Sequence, residues 1–224
     1  MKRDRYCVII PALNAAQSLG ALIPRIRQQG LDVIVVDDGS TDRTGTTAAA
    51  HGAIVISHLV NEGKGRALRR GFDFARRAGY DGVITMDGDG QHDPAEIPGF
   101  IETARQEGAA LVLGNRMTAG AIMPVARRRT NLLMSEVISA VAGQPIPDSQ
   151  CGFRLIRREL LENLSLTARR YEIETELVLQ AASRRWKIVS MPIRSIYDNH
   201  QSYIQPIRES LRFVGQVFHH MVFR

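Results

Sequence analysis

The 224-residue chain is predicted to be an α/β protein whose mostly parallel central sheet is flanked by helices. Three observations lead there. Short, near-continuous apolar runs of strand length recur along the first half, as expected for strands buried on both faces. Stretches long enough for helices separate them, and strand–helix–strand alternation implies right-handed crossovers. Polar and glycine-rich clusters fall immediately after the runs, at the sheet edge where open α/β sheets bind ligands.

Residues 6–10, 32–36, 53–56, 82–86 and 110–113 supply the runs. Residues 18–29, 42–51, 65–78 and 94–107 read as the intervening helices, several introduced by Ser, Asp, Pro or Gly. After Arg116 the rhythm loosens. Gly120 and Pro124 precede the basic cluster of residues 127–129, a helix is expected over 131–142, and Pro145 and Pro147 end it. A strand over 151–156, a helix over 172–185, a strand over 187–196 and a last helix over 203–223 complete the prediction. The last helix carries Ile204, Ile207, Leu211, Val214, Phe218 and Met221 at helical spacing. No repeat or linker interrupts the chain, so one domain over 1–224 is expected, with halves 1–116 and 117–224.

Composition narrows the function classes. With 44% apolar and 6% aromatic residues the chain is neither disordered nor fibrous. The net charge is +6, and all but three of the 29 Lys+Arg cations are arginine, the exceptions being Lys2, Lys64 and Lys187. Arginine's planar fork of donors suits phosphate, although an arginine-rich composition alone has the same appearance. Nucleic acid is not expected as a partner, because no DNA- or RNA-binding motif is present and aromatics are sparse. Cys7 and Cys151 form no CxxC pair, which favours a reducing cytoplasm. Residues 6–24 lack charge, but Pro11, Asn14, Gln17 and Ser18 break the apolar stretch below the length of a signal core or a spanning helix.

The sharpest chemical signal is Asp87-Gly88-Asp89 after the fourth run. Two carboxylates two residues apart suit one hard divalent cation, Mg²⁺ or Mn²⁺, completed by water and substrate phosphates. A calcium loop is excluded, since its sixth and twelfth positions would be His92 and Pro98. Asp37-Asp38 follows the second run, where a carboxylate can accept from a base or ribose edge, while Asp42 also fits a helix cap. Asn61-Glu62-Gly63-Lys64-Gly65 lacks the P-loop pattern, and no GxGxxG follows a strand, so ATPase and dinucleotide readings weaken. What remains is a loop at a helix start whose amides and Lys64 can hold an anion.

Pro11-x-x-Asn14, Asp37-Asp38-Gly39-Ser40-Thr41-Asp42, Asn61-x-Gly63-Lys64-Gly65, Asp87-x-Asp89-x-Gln91-His92-x-Pro94, Gly114-x-Arg116 and Asp148-x-x-Cys151-Gly152-Phe153-Arg154 occur in that order. The series resembles the family 2 glycosyltransferases, and within them the dolichyl- and polyprenyl-phosphate sugar synthases, over roughly residues 6–212. The resemblance implies a GT-A fold, a Rossmann-like sheet, and sugar transfer with inversion from a nucleotide-diphosphate sugar. It places Pro11 and Asp38 in the nucleoside pocket with Asp37 supporting nearby, and Asn14 and Lys64 are further substrate-binding candidates. Asp87, Asp89 and Gln91 would bind the metal and the donor diphosphate. Arg116 and Arg129 would meet the transferring sugar or the acceptor phosphate, Arg127 belongs with Arg128 and Arg129 to a phosphate and anionic-headgroup segment, and Arg194 would close over the diphosphate. The family's usual Glu after the first-motif Asn is here Ala15.

The resemblance also implies a polyprenyl phosphate as acceptor, reached by peripheral contact with the anionic inner face of the membrane from the cytoplasm. Because a lipid phosphate is already ionised, cations suffice to position it. A hydroxyl acceptor, on a glycan or a lipid headgroup, instead needs a general base, and Glu172, Glu174 and Glu176 are the candidates. A non-catalytic nucleotide- or membrane-binding module is the third reading.

Overall fold

The computed structural model describes residues 4–118 and 123–194. The last helix expected over 203–223 and the end of the strand expected over 187–196 lie outside the described residues. Seven strands form one sheet in the order β3-β2-β1-β4-β6-β5-β7. They are β1 (Tyr6–Ala12), β2 (Asp32–Asp37), β3 (Ile54–Ser57), β4 (Gly82–Thr85), β5 (Leu111–Asn115), β6 (Arg154–Arg157) and β7 (Ile188–Pro192). The helices are α1 (Ala16–Arg27), α2 (Thr44–Ala50), α3 (Lys64–Arg77), α4 (Ile97–Glu107), α5 (Val125–Ala142), α6 (Arg158–Asn163) and α7 (Ile173–Ser183).

Each strand feeds two cores because its side chains alternate faces. On β1, Cys7 and Ile9 enter a core built with α3, α5, α6 and α7. Val8 and Ile10 enter the opposite core with α1, α2 and α4. Both faces are dry, so β1 reads as a continuous apolar run. β1, β2 and β3 pair in parallel, and β4 joins the other side of β1, also in parallel. Strand order therefore reverses between β1 and β4, and the crevice beyond their carboxyl ends is the topological switch point.

Three features differ from the sequence expectation. β6 is antiparallel to both β4 and β5. The segment after β5 thus returns the chain to the sheet edge it left, which brings residues 148–153 to the same edge as the carboxyl ends of β1 and β4. α5 starts at Val125 rather than at residue 131. Arg127, Arg128 and Arg129 consequently lie inside its first turns, because the positive segment after Pro124 propagates as helix. α6, unanticipated, caps the end of β6 and buries Leu160 and Leu161.

Ile9 is fully buried at the centre of the sheet, whereas Ile54 on edge strand β3 is 39% exposed. Ile9→Ala is expected to lower stability by about 2–5 kcal/mol through transfer and cavity costs, and Ile54→Ala by less than about 1 kcal/mol. Urea unfolding of the two variants checks this order.

Candidate active site

The switch-point crevice collects the polar clusters. Asp87 and Asp89 follow β4 on a turn held to α1, where the Ser18 hydroxyl donates to the Gly88 carbonyl. Lys64, the first residue of α3, reaches across to this turn. Its Nζ lies 2.5 Å from Asp87 Oδ1 and 2.6 Å from Glu174 Oε1, on the first turn of α7. His92 Nε2 stands 3.6 Å from Asp87 Oδ2, and its ring packs against Phe153 with centroids 5.2 Å apart.

Burial opposes the ionisation of Asp87, but the Lys64 charge and the His92 contact overcome it and hold the carboxyl far below the usual range. Burial likewise disfavours the Lys64 charge, and Asp87 and Glu174 outweigh it and raise the ammonium pKa. Asp89 behaves oppositely: burial, then the Asp87 charge, push its carboxyl up. A divalent cation would relieve that repulsion, and the hard oxygens of the pair suit Mg²⁺ or Mn²⁺. Among the described residues no group of three or more His, Cys, Asp or Glu could enclose a metal. The Asp87–Asp89 pair itself suits an ion that takes few protein ligands and completes its shell with phosphate oxygens and water. Gln91 contributes its backbone N–H to Asp89 Oδ1 at 2.9 Å.

Gly152 makes the close approach possible, since a Cβ there would lie 2.6 Å from Asp87 Oδ2. Arg154, fully buried beneath this loop, donates to the carbonyls of Ser149, Cys151 and Glu174, each at 2.7 Å. It ties the 149–151 loop to α7 and so fixes Gly152 and Glu174 relative to each other.

The remaining expected residues occupy definite places. Asn14, with φ +52°, accepts from Thr41 N–H and donates its own N–H to Ser40 Oγ, zipping the loops after β1 and β2 together. Pro11 pairs with Val36 in the β1–β2 register. Asp37 Oδ1 accepts from Ser40 N–H within its own turn. Asp38 is buried, and its carboxylate accepts from His58 Nδ1, Glu62 N–H and Gly63 N–H at 2.7, 2.9 and 2.8 Å. The Arg116 guanidinium forms a bidentate pair with buried Asp148, at 2.7 and 2.9 Å. Arg127 is half-buried and Arg129 exposed on α5. Arg194 donates its backbone N–H to Glu96 at 3.4 Å.

Of the three glutamates, Glu176 caps the loop before α7 through Thr167 and Ala168, and Glu172 accepts from Arg169 and Arg170 N–H. Glu174 alone joins the Lys64 cluster, and its Oε2 is buried without a partner. His58, Asp148 as the partner of Arg116, and Arg154 as a tie were not identified from sequence. Asp148 and Arg154 sit in a recognisable motif, whereas His58 carries no sequence signal.

Asp87 is more acidic folded than unfolded. Its ionisation therefore stabilises the fold above the ordinary aspartate pKa of about 3.9, and that contribution is lost as pH falls below it. Urea unfolding between pH 6 and pH 3 is expected to show stability falling with acid in the wild type, with a smaller or reversed slope in Lys64→Met. Equal slopes would show that Lys64 does not set the acidity of Asp87.

Residues 7–165 match the model for Glycosyl transferase family 2. The undecaprenyl-phosphate mannosyltransferase of Micrococcus luteus is 32% identical over 202 residues, 84% of this chain and 82% of that protein. The polyprenol monophosphomannose synthase of Mycolicibacterium smegmatis is 31% identical over 85% of this chain and 77% of its own length. Among solved structures, glucosyl-3-phosphoglycerate synthase from Mycobacterium tuberculosis in complex with Mn²⁺, UDP-glucose and phosphoglyceric acid is similar. It matches with a TM-score of 0.72 and 25% identity, covering 98% of this chain and 79% of that one. That likeness overturns the expected polyprenyl-phosphate acceptor and membrane partner, because the similar structure holds a small, charged acceptor. No described helix is long and apolar enough to cross a membrane. The chain folds as a GT-A protein and is a metal-assisted sugar-transfer enzyme, related to the dolichyl- and polyprenyl-phosphate sugar transferases: it belongs to glycosyltransferase family 2.

Proposed function

We propose that the enzyme moves a sugar from a nucleoside-diphosphate sugar to a hydroxyl group of a small acceptor that itself carries negative charge. The observation that carries this reading is the Asp87–Lys64–Glu174 cluster at the switch point. It combines a metal-binding carboxylate turn with a glutamate whose second oxygen is buried and unpartnered. A divalent cation on Asp87 and Asp89, with Gln91 beside them, would neutralise the charge developing on the leaving diphosphate. Glu174 is the glutamate of this cluster and would serve as the base that a hydroxyl acceptor requires.

The phosphoglyceric acid held by the similar solved structure supports a phosphorylated acceptor. A cavity of about 350 Å³ beside the Lys64 loop, lined by Asn61, Glu62, Arg66, Arg169 and Arg170, adds a cationic surround. Pro11, Asn14, Asp37 and Asp38 are assigned to the nucleoside side, with Lys64 at the donor and Arg194 near the diphosphate. Arg116, Arg127 and Arg129 are assigned to the acceptor side. The seven strands join residues from both halves in one sheet, which supports a single domain with a donor half, 1–116, and an acceptor half, 117–224. Two buried free thiols suit a reducing, cytoplasmic setting.

Purified protein with Mn²⁺ and a panel of nucleotide sugars that includes UDP-glucose, offered 3-phosphoglycerate or undecaprenyl phosphate, tests the reading by product mass. Transfer to the phosphorylated hydroxyl compound is expected, and Asp89→Asn is expected to lose roughly 100-fold or more in kcat. Metal-independent transfer, or transfer to the polyprenyl phosphate alone, would refute it.

A further inference from the structure

The β3–α3 loop determines where Lys64 stands, and two groups hold that loop. On one side, Gly63 and Gly65 pack against the backbone of residues 168–170, where a Cβ at Gly63 would lie 2.4 Å from the Arg169 carbonyl oxygen. Arg66 N–H donates to the same carbonyl at 3.2 Å. Gly63 has φ +100°, a conformation that strains any residue with a Cβ. On the other side stands Asp38, whose two oxygens accept from Glu62 N–H and Gly63 N–H immediately before Lys64. The third donor to Asp38 is the His58 ring, at 2.7 Å, with both side chains about 5% exposed. His58 also donates its backbone N–H to the Asp37 carbonyl, which fixes the start of the loop on β2.

We propose that His58 is a positioning residue: by orienting the buried Asp38 carboxylate it holds Glu62 and Gly63, and through them keeps the Lys64 ammonium between Asp87 and Glu174. A buried carboxylate needs its lone pairs satisfied, and a charge-assisted bond at 2.7 Å defines its rotamer. If the ring is lost, Asp38 turns toward other donors and the two amides it holds are released. Lys64 is the next residue, so its reach to Asp87 depends on that anchorage. The inference rests on the reading of Asp87 and Asp89 as the metal-binding pair, since Lys64 competes with a cation for Asp87.

The experiment measures Mn²⁺ binding by the electron paramagnetic resonance of free Mn²⁺, without nucleotide. It compares wild type, His58→Leu, His58→Asn, Lys64→Met and the double variant His58→Leu/Lys64→Met. Removing the competing charge in Lys64→Met is expected to tighten Mn²⁺ binding by about fivefold or more. His58→Leu should move in the same direction by about threefold. His58→Asn, whose amide can donate from nearly the position of Nδ1, should stay within about twofold of wild type. The double variant should match Lys64→Met, because the two changes act through one group.

Amide exchange at Glu62 and Gly63 in metal-free protein supplies a readout that needs neither metal nor transfer. It should accelerate by about tenfold or more in His58→Leu and stay near wild type in His58→Asn. Unchanged exchange in His58→Leu overturns the proposal, as does an Mn²⁺ effect that adds fully to that of Lys64→Met. A shift in His58→Asn equal to that in His58→Leu overturns it too. If His58→Leu fails to fold, His58→Ala takes its place in the cycle. Weak Mn²⁺ binding that Asp89→Asn leaves unchanged refutes the metal reading, while the exchange data still decide the role of His58.

Discussion

The crevice is organised around one shared cation. Lys64 lies between two carboxylates from different parts of the chain, Asp87 after β4 and Glu174 on α7, and the Lys64 and Glu174 side chains are 15% and 7% exposed. Burial opposes the charge on Asp87 and on Lys64 alike, and their mutual attraction outweighs it on both. The triad therefore requires that α3 and α7 begin at the same edge of the sheet. The core that packs α3 and α7 against β1, β4 and β6 serves that requirement. Arg154 adds a second buried positive charge below the triad, donating to the carbonyl oxygens of Ser149, Cys151 and Glu174. Desolvation lowers its pKa while Glu174, Asp148 and Asp87 act to raise it, so the acidic cluster and its buried counter-charge stabilise each other.

Much of this arrangement was legible in the chain. Runs such as residues 6–10 and 32–36 announce strands buried on both faces, and the clusters after them mark the functional edge whatever the exact boundaries. Strand direction was not legible for β6, because an antiparallel strand with both faces covered has the same apolar composition as a parallel one. Its direction follows from where the segment after β5 returns. The early start of α5 was hidden for a related reason: three arginines fit a solvated helix as well as an irregular basic segment.

The site was legible as residue types at strand ends and not as partnerships. Asp38 and Lys64 were read as groups facing ligand, yet each first satisfies groups of the protein. The same holds for Arg116, whose carboxylate partner is 32 residues away at Asp148. Partner choice depends on which loops the topology brings to one edge, and spacing along the chain does not encode it. His58 shows the limit most clearly, since nothing around it in sequence separates it from a surface histidine. The acceptor was the other point at which sequence reasoning went astray. Five of the six motif segments lie at or before Arg116, so the chain beyond it carries little from which an acceptor can be read.

A thermodynamic double-mutant cycle on Lys64 and Glu174 decides whether the shared cation holds the two halves of the crevice together. Urea unfolding of wild type, Lys64→Met, Glu174→Gln and the double variant gives the coupling energy. A buried pair of this kind predicts that the single changes destabilise more than additively, with a coupling of about 1–3 kcal/mol. Additivity within about 0.5 kcal/mol would mean that Lys64 and Glu174 are merely neighbours, and the account of the crevice built on them would fail.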